Sequence, residues 1–450
     1  MAVLISARAR RRGVVSPDAA ALLGCVALVA AAVLVGRALL ARGVEILLGF
    51  PPLNAEWLPH VGPGTPAALL VAGLVATRGP ALAERLAWRP LLAGGYAVSV
   101  AWTSSLALVD GWQRGVAGRL ATGDEYLHDV PRAGEPGTLL RTFADHILTS
   151  QVDPGQTEFW TTHVGAHPPG AFLVFVLLDR AGLGGGAWAG VFVLLTGASS
   201  AVAVAVAVRA LGGQALARRV LPFAVLAPAA VWVGVSADGL FAAALAWAVA
   251  LAALGATGTG WRADCAALAG GVCCGGCLYL SYGLVLGMAL PGAVLLVARR
   301  VRAAVLVGAG SLLVVAGFTA SGFWWFTGFE RVRVIYAASA AASRPYAYFV
   351  WANLAAFLFA MGPAAVVGLR RALAAPRALP VASAALVGAA LVAVLFADLS
   401  GLSKAEVERI WLPFAVWLAV PCALLDRPAR WLLAQAGLAL VVNHLLLTVW

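Results

Sequence analysis

The feature that most limits the fold of this chain is a succession of apolar runs, each close to the roughly 17–25 residues a helix needs to cross a bilayer. They fall near 18–41, 65–80, 90–109, 187–208, 220–236, 239–257, 264–280, 283–298, 303–321, 348–369, 380–397, 409–425 and 431–449. Of the 450 residues, 62% are hydrophobic and 11% charged, more apolar surface than a water-soluble domain can bury. The runs are continuous rather than alternating, which excludes a barrel. In lipid every backbone polar group must be satisfied within its own segment, so the spans have to be helices. The expectation is an all-α polytopic membrane protein with about thirteen transmembrane helices.

The charges supply an orientation. The net charge of +11 could point to nucleic acid, but the arginines sit between apolar runs: Arg8/Arg10/Arg11/Arg12, Arg78/Arg85/Arg89, Arg209/Arg218/Arg219, Arg299/Arg300/Arg302, Arg370/Arg371/Arg377 and Arg427/Arg430. That is the positive-inside pattern of cytoplasmic turns, with no nucleic-acid partner called for. With the N-terminus cytoplasmic, only Asp18, Glu84, Asp264 and Asp426 of the acids stay on the inner side. No small-residue cleavage site follows the first run, so it is expected to remain as an anchor. Cys274-x-x-Cys277 has no second ligand pair and lies in a Gly/Ala-rich span, which favours close helix packing over metal or redox chemistry.

Residues 168–182 break the alternation. They are apolar but contain Asp179 and Arg180, and a full span here would move Arg218 and Arg219 to the outer face. A short re-entrant or juxtamembrane helix keeps the order, provided it is buried against protein.

Acids and histidines are costly near hydrocarbon, so their concentration between Asp110 and Gly170 marks a functional segment. It holds eight carboxylates and four of the six histidines. Asp110 ends the third span, and it serves either as an interface residue or as a general base tuned by partial desolvation. Asp124, Glu125, Tyr126, His128 and Asp129 follow within six residues, a cluster suited to sugar hydroxyls or to a divalent cation, or else a solvated acidic loop. Residues 138–148 carry apolar positions at helical spacing and are expected to lie as an amphipathic helix on the outer leaflet. His163 and His167 would share a helical face able to bind zinc, but Pro168 and Pro169 oppose helix at His167. Pro168 is instead expected to open the next helix, with free N–H groups aimed at a phosphate and His167 beside them.

Two further outer-side islands could take part. Asp238 precedes an apolar run and could simply cap it. Residues 397–411 contain Lys404, the only lysine, with Glu406, Glu408 and Arg409. Arg409 could clamp a phosphate bidentately with Glu406 or Glu408 holding it. Arg331, Arg333 and Arg344 with Tyr336, Tyr346 and Tyr348 form a third patch, which equally suits interfacial anchoring.

Together these residues resemble a family. A span ending in an outer Asp, a long loop with Asp124-Glu125-Tyr126, and His167-Pro168-Pro169-Gly170 opening a short helix look like the GT-C glycosyltransferases. The closest likeness is to lipid A aminoarabinose transferases and protein O-mannosyltransferases. There the string is typically Lys or His followed by Pro-Pro and an aliphatic residue; here the Lys of the Lys-Pro-Pro form is His167. The outer Asp238 and the stretch Glu406–Trp411 also have parallels in that family. The likeness covers about 90–420, so residues 1–89 would add two spans in front, 90–425 form the catalytic module, and 426–450 the last span.

The resemblance implies inverting transfer of a sugar from a polyprenyl-phosphate donor to a lipid, glycan or protein acceptor on the outer face. It implies a base drawn from Asp110, Asp124 and Glu125. His167, Lys404, Arg409 and Arg344 would contact the donor phosphate, with Arg409 and either Lys404 or His167 as the cations that stabilise it as it departs. Tyr126, His128, Asp129, His163, Asp238, Glu406 and Glu408 would contact sugar or acceptor. No cofactor is required beyond an optional divalent cation. The Ala/Gly/Arg-rich composition with one lysine fits a GC-rich, actinobacterial plasma-membrane protein, with mannose or arabinose as the sugar. The rival class is a transporter or lipid flippase, which would need charges along a mid-membrane path; a non-catalytic relative is a third.

Overall fold

The computed structural model describes residues 16–449, so the Arg8–Arg12 cluster lies outside the described residues. Helix α1 (Pro17–Ala41) starts where the Ser16 hydroxyl accepts the Ala19 N–H at 3.2 Å, with Pro17 in the first turn. A short strand β1 (Ala55–Trp57) precedes α2 (Thr65–Arg85) and α3 (Trp88–Ala107). The long polar segment that follows is built of single turns and α4 (Pro136–Thr142). Then come α5 (Pro169–Arg180), α6 (Gly186–Ala198), α7 (Ser200–Gly212), α8 (Gln214–Val225), α9 (Ala237–Thr257), α10 (Trp261–Leu280), α11 (Ala289–Ala298) and α12 (Val301–Ala320). The chain ends with α13 (Trp325–Ala338), α14 (Tyr346–Ala374), α15 (Val381–Leu399), the single turn α16 (Val407–Ile410), α17 (Pro428–Leu445) and β2 (Leu446–Thr448).

Among the described residues, nine helices are long and apolar enough to cross a membrane, α6 and α7 counting as one; 284–298 and 412–424 are shorter apolar helices. The fold is therefore all-α and polytopic in character. Of the thirteen expected spans, 220–236, 283–298, 409–425 and 431–449 are not among the nine: proline interrupts the first and third, the second is a shorter apolar helix, and α17, at the last, carries the polar Gln435, Asn443 and His444. Residues 220–236 are not one helix: α8 ends at Val225, Pro228 follows, and a separate turn covers Ala230–Val233. The run 409–425 divides at Trp411 and tightens into 3₁₀ geometry over Val416–Leu424 around Pro421. Residues 169–180 form the short helix that the alternation required. The amphipathic stretch 138–148 is helical only to Thr142 and then tightens over Phe143–His146, with Leu139, Leu140, Phe143 and Ile147 buried.

Small residues set the helix contacts, since lipid gives helices no hydrophobic reason to associate and close backbone packing must do so. Gly271 of α10 and Gly310 of α12 each face the other helix's backbone so closely that a Cβ on either would collide with it. Cys274 and Cys277 are buried free thiols on α10. One core runs from Leu53 to Leu446, so α2 and α17 pack into the same body as the central helices, while α1 packs against α14 in a smaller cluster.

Charge collects at two ends. At one, Asp18 pairs with Arg370 (2.6 Å) and Arg371 (3.0 Å), Asp426 with Arg371 (2.8 Å), and Asp264 with Arg302 (2.8 Å). The start of α14 and the end of α15 lie at the other, beside the residues described next. There β1 and β2 pair antiparallel, Glu56 opposite Leu447.

Candidate functional site

Two loops and one helix start meet at this second end. The first loop carries Asp124 to Asp129 and returns through the turn Thr162–Gly165, tied by the His163 N–H donating to the Asp124 carbonyl at 3.0 Å. The second is the 400–406 loop. Its backbone is left-handed at Ala405 (φ 72°) and Glu406 (φ 61°), a conformation that costs non-glycine residues energy and needs outside support. Buried Asn353 of α14 provides it: its side-chain oxygen accepts the Ala405 N–H at 3.1 Å, and its amide donates to the Ser403 carbonyl (2.7 Å) and to Asp398 (2.9 Å).

A cavity of ≈ 310 Å³ lies between the loops, lined by Asp124, Thr162, His163, Tyr336, Arg344, Lys404 and Glu406 among others. Asp124 is the exposed acid here, and one of its oxygens accepts the Thr162 hydroxyl at 2.9 Å. Glu125 is buried beneath it, its Oε1 2.7 Å from His163 Nδ1. Lys404 Nζ donates to the carbonyls of Ala342 (2.6 Å) and Arg344 (2.9 Å), which fixes its position; partial burial and the adjacent Arg344 draw its pKa down. Arg344 donates to the Lys404 carbonyl (2.6 Å) and to Glu406 (3.3 Å).

Below the cavity the charges are buried and paired. Arg409 Nη1 meets Asp238 at 2.7 Å and Nη2 meets Glu406 at 3.1 Å. The Arg409 clamp expected for phosphate is therefore already spent on two carboxylates, and Asp238, at the N-terminal end of α9, is an ion-pair partner rather than a cap. Glu408 does not hold Arg409. It is buried, with Oε2 unpartnered, and burial pushes its carboxyl up to about 8, helped by nearby Glu406. At neutral pH it is mostly a neutral acid.

The His167-Pro-Pro-Gly string opens α5 as expected, with Pro168 as N-cap and Pro169 in the first turn. Gly170 is dictated by packing: a Cβ there would lie 2.5 Å from the Tyr279 carbonyl oxygen of α10. His167 is half-buried, its ring against Tyr126 and Phe241 and its Nδ1 on the His163 carbonyl at 2.7 Å. Burial takes its pKa down to about 4, with only partial opposition from that hydrogen bond and Asp238. It is thus a neutral imidazole, which corrects the expectation of a cation at the phosphate. The rings of His163 and His167 stand 6.5 Å apart at right angles, and no group of three metal-binding side chains occurs among the described residues.

The remaining expected residues divide. Tyr126 is fully buried, with its hydroxyl unpartnered; burial, then Glu125, raises its pKa well above the usual tyrosine value. Asp129 is buried away from the cavity, accepting from Arg132 (2.7 Å) and from the Thr161 N–H (2.8 Å), so it braces the loop. His128 is exposed and does not line the cavity.

Asp110 also stands apart. It is held by His60 (2.7 Å) and Arg119 (2.9 Å), with Arg114 at 3.6 Å, and Arg119 also donates to the Thr448 carbonyl at 2.8 Å. That network braces the end of α3 against the β1–β2 pair. No protein-family model and no curated protein matches this sequence.

Among residues the sequence did not single out, Asn54 donates to Glu406 at 3.4 Å, Asn353 holds the left-handed turn, and His60 and Arg119 hold Asp110. Asn353 carried no signal, being one amide inside an apolar run. His60, a lone histidine between two spans, was a detectable one.

Proposed function

We propose that this protein is a membrane-embedded glycosyltransferase that moves a sugar from a polyprenyl-phosphate donor to an acceptor hydroxyl, in the manner of the GT-C enzymes it resembles. The observation that carries this reading is a cavity bordered by an exposed carboxylate, Asp124, and by two cations, Lys404 and Arg344, at one end of a bundle of apolar helices. A lipid-linked donor needs its phosphate at such an end while its chain remains in hydrocarbon.

In this reading Asp124 takes the acceptor proton as the hydroxyl oxygen attacks the anomeric carbon. The bond from that carbon to the phosphate oxygen breaks, and its electron pair leaves on the polyprenyl phosphate. Lys404 and Arg344 stabilise the charge growing on that phosphate. Attack opposite the departing group inverts the anomeric centre. Asp124 is favoured over Asp110 because Asp110 is already surrounded by His60, Arg119 and Arg114. Glu125 orients His163 at the cavity wall, and the Asp238–Arg409–Glu406 chain keeps Glu406 aligned beneath the phosphate subsite.

Positive-inside charge supports a cytoplasmic Arg-rich end and a catalytic end on the outer face, and the Ala/Gly/Arg-rich composition with one lysine supports the plasma membrane of a GC-rich bacterium as location. The direct test is reconstituted full-length protein supplied with polyprenyl-phosphate mannose or arabinose, with release of polyprenyl phosphate measured alongside flux in sealed vesicles. Release that disappears in Asp124→Asn and persists in Asp110→Asn is the expected result. Flux without release would favour a transporter.

A further inference from the structure

At the Arg-rich end, remote from the catalytic cavity, a second cavity of ≈ 300 Å³ opens between α2, α8 and the start of α17. Its floor is apolar, formed by Pro222, Phe223 and Leu425. Its rim carries three arginines that come from two separate parts of the chain: Arg218 and Arg219 from α8, and Arg427 from the turn before α17.

These arginines differ in what they already hold. Arg218 is fixed against the last turn of α2, donating to the carbonyls of Ala83, Glu84 (3.2 Å) and Leu86 (2.8 Å). Arg219 and Arg427 are exposed, and among the described residues neither makes an ion pair with a carboxylate. Two acids also line the cavity. Asp426 is neutralised by Arg371 at 2.8 Å, and Glu84 is exposed with no ion pair among the described residues. The rim therefore holds an excess of positive charge over one uncompensated carboxylate.

A solvated cytoplasmic turn accounts for arginines of this kind in general, but not for their convergence over an apolar concavity. Guanidinium groups suit phosphate oxygens, and an apolar floor suits a glycerol ester backbone more than a free ion. Basic pockets between transmembrane helices at the positively charged side are suited to lipid head groups. We propose that this cavity is a binding site for an anionic glycerophospholipid. Its phosphate lies between Arg219 and Arg427, and the carboxylate of Glu84 accepts from hydroxyls of the head group. Phosphatidylglycerol has that chemistry. The site is structural or regulatory, and it stands independently of the transferase reading because nothing in it touches Asp124, Lys404 or Arg344.

The test is lipid retention by detergent-purified full-length protein, read by native mass spectrometry and by thermal stabilisation. Ligands are phosphatidylglycerol, phosphatidylethanolamine and soluble glycerol 3-phosphate. Wild type is compared with Arg219→Gln/Arg427→Gln and with Arg299→Gln/Arg300→Gln, which removes two exposed charges between α11 and α12, outside the cavity. Phosphatidylglycerol should bind wild type and the second double variant alike and bind the first at least tenfold more weakly, with the lipid-free melting temperature unchanged. Equal loss in both double variants would mean a general surface potential and overturn the site. Stabilisation by phosphatidylethanolamine or glycerol 3-phosphate as great as by phosphatidylglycerol would overturn the assignment of an anionic lipid. A first double variant that misfolds is answered by Phe223→Trp. That variant narrows the floor without altering charge, and should also weaken phosphatidylglycerol retention; undiminished retention counts against the proposal.

Discussion

Replacing Glu408 with Gln should remove a defined part of the protein's pH dependence. The side chain is 1% exposed, one carboxyl oxygen has no partner, and burial takes its pKa from 4.5 to about 8. A carboxyl whose folded pKa lies above its unfolded one holds its proton more tightly when folded. Its contribution is therefore complete below pH 4.5 and is lost as pH rises through 8. Each pKa unit is worth about 1.4 kcal/mol, so between pH 5.5 and 7.5 the wild type should lose about 2–3 kcal/mol on account of this one group. Glu408→Gln keeps the shape and cannot ionise. The assay is unfolding in mixed micelles followed by tryptophan fluorescence at several pH values. What matters is the difference in slope between wild type and variant, since every other titrating group is common to both. Parallel stability curves across pH 5.5–7.5 would show that Glu408 is ionised or solvated in the folded protein and refute the reasoning.

Arg409→Met should destabilise by about 3–5 kcal/mol, because Asp238 is left buried without its cation and Glu406 keeps only Arg344. Adding Asp238→Asn should recover part of that loss, and a double-mutant cycle on unfolding midpoints measures how much. His167→Gln should flatten the acid limb: a histidine lowered to about 4 contributes stability that is full above pH 6.5 and lost as pH falls toward 4. Gly170→Ala should cost about 1–3 kcal/mol through overpacking against α10, read as a lower melting temperature. Asp110→Asn should loosen the network to His60 and Arg119, read as faster proteolysis near residues 58–64 and 446–448, while leaving Asp124 in place.

Much of the architecture was legible because bilayer length and charge placement leave few choices. The apolar runs foretold the long helices, and Asp179 and Arg180 foretold a short α5. Proline obscured two stretches, since Pro228 and Pro421 interrupt runs whose composition alone reads as continuous span; the run 283–298 is a shorter helix, and 431–449 is diluted by Gln435, Asn443 and His444. At the site, the sequence brought forward the two polar islands that meet around the cavity. It could not tell which acids would be spent. Asp110, Asp124 and Asp129 look alike in one dimension, yet two are neutralised by arginines and only Asp124 borders the cavity. His167 was misread as a cation because its burial depends on Phe241, which is distant in sequence.

The antiparallel pairing of β1 with β2 has a consequence for how the protein is made. Residues 55–57 emerge early from the ribosome, but their partners at 446–448 are synthesised after every helix in between. Until then the Thr448 carbonyl that Arg119 needs does not exist, so the flank of the polar end stays open through most of membrane insertion. Such a contact between residues remote in sequence closes late and slowly. The helices can therefore be inserted and packed first, with the brace at the polar end fastened only after the body of the protein has taken shape.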